Sequence, residues 1–196
     1  MGTMDDGPSL PDRMDLRVSG SGGQGVLLAA AILAEAATAL GRHVVQTQSY
    51  GPAARGGASR AEIIISGDEI DHLEVSAPHA SLCLSQEAYD KYAGDTRSGG
   101  LLVYDTRRID PGAGLPDRRT CGLPFARVAV ERLGKAVVAN IVALGALVAL
   151  TGLLPAEAVE QAVKRRVPAQ SRDLNARAFR LGGELVAGDG SQDHGH

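Results

Sequence analysis

Gly20, Gly22 and Gly25 stand in a G-x-G-x-x-G spacing within the run GSGGQG, with Gly23 and Gln24 between the last two. Backbone N–H groups at a helix N-terminus can hold a phosphate when no side chain obstructs them, and dinucleotide-binding turns use this spacing. Gln24 is the informative member, because the turn itself does not require a carboxamide. It is suited to donate to a ligand or to a neighbouring subunit. The second half of the dinucleotide fingerprint is missing: after the next strand the chain reads QTQSY, where an acid would take the ribose hydroxyls. Three readings of the turn stand side by side: a tight bend that packs closely, a phosphate cradle, and a seat for the backbone of another chain.

A second concentration of special residues follows in QSYGPAARGGASRAE, residues 48–62, between the β-branched runs HVVQT and AEIIIS. Gln48, Ser49, Tyr50, Gly51, Pro52, Arg55, Gly56, Gly57 and Arg60 make it far longer than a hairpin turn requires. Pro52 stiffens it, and the glycines let another backbone come close. From Ala36 to Ala61 there is no carboxylate, while Arg42, His43, Arg55 and Arg60 are present, so the segment suits an anionic ligand or an acidic surface. Asn140, inside an apolar helix, is either a satisfied core amide or a contact across an interface. Asp105 ends a strand, where parallel sheets place functional carboxylates and where turns also begin. His43, His72 and His79 have no metal-ligand spacing, and no Ser-His-Asp set, paired catalytic carboxylates or P-loop lysine can be assembled.

The elements that must position these residues alternate. DLRVSG reads as a strand, VLLAAAILAEAATAL as a helix closed by Gly41, and HVVQT as a second strand parallel to the first by a right-handed crossover. SLCLS, QEAYDKY after Ser85, LLVYDT, and PFARVAVERLG after RRTCG continue the alternation. The fold class is therefore α/β: a Rossmann-like, doubly wound, mostly parallel sheet with helices on both faces and a helical C-terminal third. That third holds three helices, KAVVANIVALGALVALTGLL, PAEAVEQAVKRRV and SRDLNARAFRLGGELV. The stretch from Ala136 to Leu154 carries no charge and has the length of a membrane span, but Asn140, Gly145, Thr151 and Gly152 favour a helix buried on nearly every side. With the first helix almost as apolar, a partner chain is expected to cover one of the two.

At 196 residues the chain is expected to form a single domain over residues 15–186, flanked by disordered tails at 1–14 and 187–196. Both tails are acidic, so the formal net charge of −3 hides a body of about +1. Cys83 and Cys121 form no C-x-x-C pair, and no secretory signal is evident, which points to a cytoplasmic protein. Aromatic residues are 3% of the chain and tryptophan is absent, which argues against nucleic acid as a partner.

Taken together, GSGGQGV, VVQTQSYGPAARGGASRAEIIIS, LSQEAYDKY and VANIVALGALVALTGLL resemble the gamma subunit of the 2-oxoacid:ferredoxin oxidoreductases, particularly the 2-oxoglutarate type. The resemblance spans residues 15–186. It implies a heteromeric enzyme that oxidatively decarboxylates a 2-oxoacid, makes an acyl-CoA and reduces ferredoxin. It further implies thiamine diphosphate, Mg2+ and iron–sulfur clusters carried mainly by alpha and beta subunits, with a ferredoxin-like delta subunit where one is present. No catalytic or metal-binding residue is expected on this chain. Gly20, Gly22, Gly23, Gln24, Gly25, Gln48, Ser49, Tyr50, Gly51, Arg55, Gly56, Gly57, Arg60 and Asn140 are the candidates for contact with coenzyme A or with the other subunits. Arg55 and Arg60 would pair with acidic groups across the interface or with coenzyme A phosphates. Ala53 stands where members of the family often carry an acid. The rival reading is a stand-alone small nucleotide-binding protein that uses the GSGGQG turn, and a membrane-associated protein built on residues 136–154 is the third.

Overall fold

A computed structural model describes residues 11–49 and 57–189. The chain enters through β1 (Arg13–Gly20) and turns into α1 (Val26–Ala39), after which Gly41, at φ 74°, sends it into β2 (His43–Ser49). Then come β3 (Ser59–Ser66), β4 (Ala80–Cys83), α2 (Gln86–Tyr92), β5 (Leu101–Asp105) and β6 (Arg119–Leu123). Four helices complete it: α3 (Phe125–Leu133), α4 (Ala139–Thr151), α5 (Ala156–Arg166) and α6 (Arg172–Asp189).

The six strands lie in the order β2-β3-β1-β4-β5-β6, with β1, β4, β5 and β6 mutually parallel. The expected α/β sheet is present, with one difference of pairing. β2 runs in the direction of β1, but β3 lies between them and is antiparallel to both. Burial explains the order. SRAEIIIS is buried along nearly its whole length and takes the interior position, whereas Gln46 to Ser49 are exposed and sit at the edge.

One face of the sheet carries α1 and the four C-terminal helices. Leu16, Val18, Ile63, Ile65, Leu82 and Val103 meet α1 and α4 there in a single core. Every residue of α4 from Asn140 to Val148 is buried. The reason is a close crossing with α6: a β-carbon at Gly145 would lie 1.9 Å from the Phe179 carbonyl oxygen, and one at Gly182 would lie 2.0 Å from that of Val142. The two helices pack backbone against backbone. This corrects the expectation that a partner must cover one of the apolar helices, because α5 lies over α1 and α6 over α4. Nor does α4 suit a bilayer. It ends at Gly152, at φ 60°, after 13 residues, roughly 20 Å at 1.5 Å per residue, and no helix among the described residues is long and apolar enough to cross a membrane.

The opposite face carries α2 and a buried charge network. Arg17, 2% exposed, donates from Nε and Nη2 to Glu62 Oε1 (2.9 and 2.7 Å), from Nη1 to Asp95 Oδ2 (2.5 Å) and from Nη2 to the Val75 carbonyl (2.9 Å). Tyr92 lies against the guanidinium, 5.7 Å from its ring centre. Desolvating a guanidinium is costly unless its donors are matched, and here all three nitrogens are.

Two predictions follow from this packing. Gly145→Ala and Gly182→Ala should each destabilise the full chain by about 1–3 kcal/mol or more through overpacking, while Gly183→Ala, whose β-carbon would meet only Ala149 Cβ at 4.0 Å, should be neutral or stabilising. Urea denaturation of the three variants separates the cases. The second concerns Glu35 of α1, which accepts from Arg165 (2.6 Å) and Arg166 (2.5 Å) at the end of α5. The hydrogen bond from Arg165 lowers the Glu35 pKa against an opposing effect of burial, with Arg166 adding to the lowering. The contribution is therefore present above the unfolded carboxylate pKa and lost as pH falls through the lowered folded value. Glu35→Gln should cost at most about 1 kcal/mol at neutral pH, and the difference from wild type should vanish in acid.

Candidate functional site

The glycine turn is closed by Gln24. Its Oε1 accepts from the Ser21 backbone N–H (2.7 Å), and its Nε2 donates to the Leu84 carbonyl (2.9 Å) just past the end of β4. The carboxamide therefore ties the turn to the neighbouring strand, a structural task that the spacing alone does not reveal. Gly20 is required by that clasp, since a β-carbon there would lie 2.6 Å from Gln24 Oε1. Gly25, at φ 74°, is required twice over, by its left-handed backbone and by Asn140, whose Nδ2 would lie 2.2 Å from a β-carbon. Asn140 Nδ2 also makes a long hydrogen bond, 3.5 Å, to the Gly25 carbonyl. Gly22 and Gly23 face open space.

Gly23, Gln24 and Asn140 come together in one cleft of about 210 Å³ at the C-terminal ends of the parallel strands. Leu84, Asp105, Arg108, Ala136, Val137 and Ala139 complete its lining. This is where a doubly wound sheet opens a crevice. Two helix starts point to it: the glycine turn leads into α1, and a 3-10 turn at Ala136–Val138 leads into α4. Neither start is capped by a side chain, although at the second the Val138 and Ala139 N–H groups already donate to the Lys135 and Ala136 carbonyls through the 3-10 turn. Asp105 is 2% exposed, and its carboxylate already accepts from the Arg107 N–H (3.0 Å) and the Ala126 N–H (3.0 Å), with Arg108 Nε 3.9 Å away. It fastens the start of α3, so of its two sequence readings the structure takes the turn-forming one. Arg108, partly exposed at the rim, leaves the cleft receptive to an anion.

Arg108, Leu84 and the Ala136–Ala139 segment were not among the residues singled out from sequence. The signal for Arg108 was its place three residues after the strand-ending Asp105.

Of the second group of candidates, the described members Gln48, Ser49, Gly57 and Arg60 do not line the cleft. Tyr50, Gly51, Arg55 and Gly56 lie outside the described residues. Gln48 and Ser49 are exposed at the end of β2. Ser49 pairs with Arg60 and Arg60 with Ser19, so roughly 10 Å, two strand spacings, separates Ser49 from β1. Gly57 is half-buried. Ala58, next to it, is held at both polar atoms: its N–H donates to Glu87 Oε1 (3.1 Å) and its carbonyl accepts from Tyr92 Oη (3.4 Å). Ser59 Oγ donates to the Gly20 carbonyl (3.0 Å), which ties the returning limb of the loop to the glycine turn. Arg60 lies over the Tyr92 ring (5.3 Å) and 3.6 Å from Glu62, within its own chain.

The geometry weighs against the dinucleotide reading. β3 occupies the place beside β1 from which β2 would present a ribose-binding acid. The cleft is also smaller than the range of about 300–1,000 Å³ usual for drug-sized ligands. Cys83 is fully buried beside Ser19, and burial raises its pKa to about 11, which makes it an inert core thiol.

A family model described as pyruvate ferredoxin/flavodoxin oxidoreductase matches residues 15–185. The 2-oxoglutarate synthase subunit KorC of Methanocaldococcus jannaschii is 43% identical over 177 residues, covering 89% of this chain and 94% of that protein. Among solved structures, the keto/oxoacid ferredoxin oxidoreductase gamma subunit from Geobacter sulfurreducens PCA superposes with a TM-score of 0.80 at 44% identity, covering 90% of this chain and 97% of that one. The 2-oxoglutarate:ferredoxin oxidoreductase from Magnetococcus marinus, solved with 2-oxoglutarate, coenzyme A and succinyl-CoA bound, shares the fold at a TM-score of 0.81 and 20% identity, covering 91% of this chain and 32% of that one. The family match over residues 15–185 and the near full-length likeness to these relatives show that the chain belongs to the pyruvate ferredoxin/flavodoxin oxidoreductase family and has the span and fold of its gamma subunits.

Proposed function

We propose that this chain is the gamma subunit of a heteromeric, cytoplasmic 2-oxoglutarate:ferredoxin oxidoreductase, and that the cleft beside the glycine turn borders the approach of coenzyme A. The overall reaction takes 2-oxoglutarate and coenzyme A to succinyl-CoA and CO2, with two electrons passing to ferredoxin and one proton released. Thiamine diphosphate, Mg2+ and iron–sulfur clusters supply the carbon–carbon cleavage and the electron path from the alpha and beta subunits, with a delta subunit where present. The work we assign to this chain is binding and positioning.

The observation that carries the assignment is the convergence of two uncapped helix starts, Arg108 and the carboxamides of Gln24 and Asn140 on one cleft. Such a set suits a phosphate-bearing cosubstrate, because partial positive charge, a full cation and neutral donors all face the same space. Backbone N–H groups at Gly22 and Gly23 and the Arg108 guanidinium would meet the anionic part, and the amides would orient it. The cleft's size admits one part of coenzyme A rather than the whole molecule, which agrees with a site completed by other subunits. Val137 supports this reading: it is 78% exposed at the rim, an apolar side chain that a partner surface would cover. The loop bearing Tyr50, Gly51, Arg55 and Gly56 belongs to the same proposed interface, since its returning limb is fastened to the glycine turn at Ser59.

In the assembled enzyme, Arg108→Ala should raise KM for coenzyme A about 10- to 100-fold, the range for a hydrogen bond to a charged group, and Asn140→Ala about 2- to 10-fold. KM for 2-oxoglutarate should stay unchanged in both. Steady-state kinetics with each substrate varied separately makes the distinction, and an unaltered KM for coenzyme A in Arg108→Ala contradicts the proposed site. Gln24→Ala frees the Ser21 N–H and the Leu84 carbonyl together and should lower turnover while the domain stays folded. Wild-type turnover in that variant would show that the clasp has no catalytic consequence.

A further inference from the structure

A second cleft, of about 160 Å³, lies at the other end of the sheet, at the N-terminal ends of the parallel strands and under the last turn of α4. His79 enters it just before β4, Arg97 and Gly99 come from the connection before β5, Arg119 begins β6, and Leu150 and Thr151 close it from α4. No carboxylate of the described residues lines it.

Among the described residues the donors in this cleft have no acidic partner. Arg97 and Arg119 are both exposed, and neither guanidinium makes a side-chain hydrogen bond or ion pair to a described residue, Arg97 acting on His79 through its charge alone. His79 Nδ1 accepts from the Asp15 backbone N–H at 3.1 Å, so the proton of the neutral imidazole is on Nε2 and is free to donate. Asp15, the acid that acts on His79, is engaged by Arg13 Nε at 2.9 Å. Thr151 Oγ1 donates to the Leu147 carbonyl at 2.7 Å, which leaves only its oxygen lone pairs toward the cleft. Two arginines near a helix C-terminus would ordinarily be explained by the partial negative charge of the last carbonyls. That attraction acts on Arg97 and Arg119 here without a hydrogen bond to a carbonyl of α4 among the described residues, so their N–H donors stay open to a further acceptor.

The geometry points to a binding site for a small oxyanion, held by Arg97, Arg119 and the His79 Nε2–H. Two planar guanidiniums and one N–H donor suit the divergent oxygens of a phosphate or a carboxylate, and the cleft's volume limits the ligand to a few heavy atoms. Burial and the charge of Arg97 hold the His79 pKa below its ordinary value, with Asp15 opposing them, so an anion seated between the arginines would raise it. The site is at the opposite end of the sheet from the glycine turn and stands independently of the function proposed above.

The test uses the full chain, with the His79 Cε1–H NMR signal assigned through His79→Asn. Inorganic phosphate, and separately acetate, replaces chloride at constant ionic strength. A saturable shift of that signal with a raised His79 pKa is expected, and Arg97→Ala and Arg119→Ala should each weaken binding by about tenfold or more, as loss of a charge-assisted hydrogen bond does. Arg97→Lys should keep part of the affinity, and unchanged urea midpoints show that the variants remain folded. Saturation by phosphate alone supports a phosphate-bearing ligand, and saturation by both anions supports a carboxylate-accepting site. Absence of saturation with either, or equal binding in the Arg97→Ala, Arg119→Ala double variant, overturns the assignment.

Discussion

Asn140 and Gln24 occupy the space that side chains at Gly25 and Gly20 would need, and the arrangement of the cleft depends on that exclusion. The glycine turn can lie flat against α4 and β4 only because two β-carbons are absent. The position of Asn140 depends in turn on a second exclusion, between Gly145 of α4 and Gly182 of α6, which fixes how deeply α4 sinks toward the sheet. Backbone contact between α4 and α6 is thus linked to the mouth of the cleft through one rigid helix. A larger residue at either crossing would move Asn140 away from Gly25.

The electrostatics follow the same division of labour. On the helix-poor face the buried Arg17 is matched by Glu62, Asp95 and a carbonyl, so its charge is consumed within the chain. Arg60 is drawn into that network through Tyr92 and Glu62. In the cleft the balance differs: Asp105 spends its carboxylate on two backbone N–H groups, leaving only a long 3.9 Å approach to Arg108 Nε, and two helix starts carry no capping side chain. Internal neutralisation on one face and unspent positive potential at the strand ends are what a positioning subunit needs if it meets anionic groups from outside itself.

Much of this was legible in the sequence, for local reasons. GSGGQG between an apolar strand and an apolar helix defines its own turn, and the helix boundaries at Gly41 and Gly134 follow from the left-handed backbone that each adopts, whereas the apolar run read as helix to Leu154 ends earlier, at Gly152. The same residues named the core of the cleft, Gly23, Gln24 and Asn140. What stayed hidden depends on pairing over long separations. The insertion of β3 between β1 and β2 is decided by the burial of Ile63 to Ile65, which no local pattern distinguishes from an ordinary parallel strand. The inward turn of Arg60 depends on Tyr92, 32 positions away in the chain. The two apolar helices suggested a missing partner because composition cannot show that α5 and α6 fold back over them.

The central claim is that this chain works as an obligatory part of a larger oxidoreductase, and an omission experiment tests it most directly. The complex is purified through a tag on this chain, its subunits are identified by mass, and it is then reassembled with and without the chain. Reduction of ferredoxin that depends on both 2-oxoglutarate and coenzyme A is recorded in each case. The account predicts larger partner chains carrying iron–sulfur absorption in the purified material, and loss of the coenzyme A-dependent reaction on omission. Purification of the chain alone from cells that make it, or full activity of the partners without it, would contradict the account.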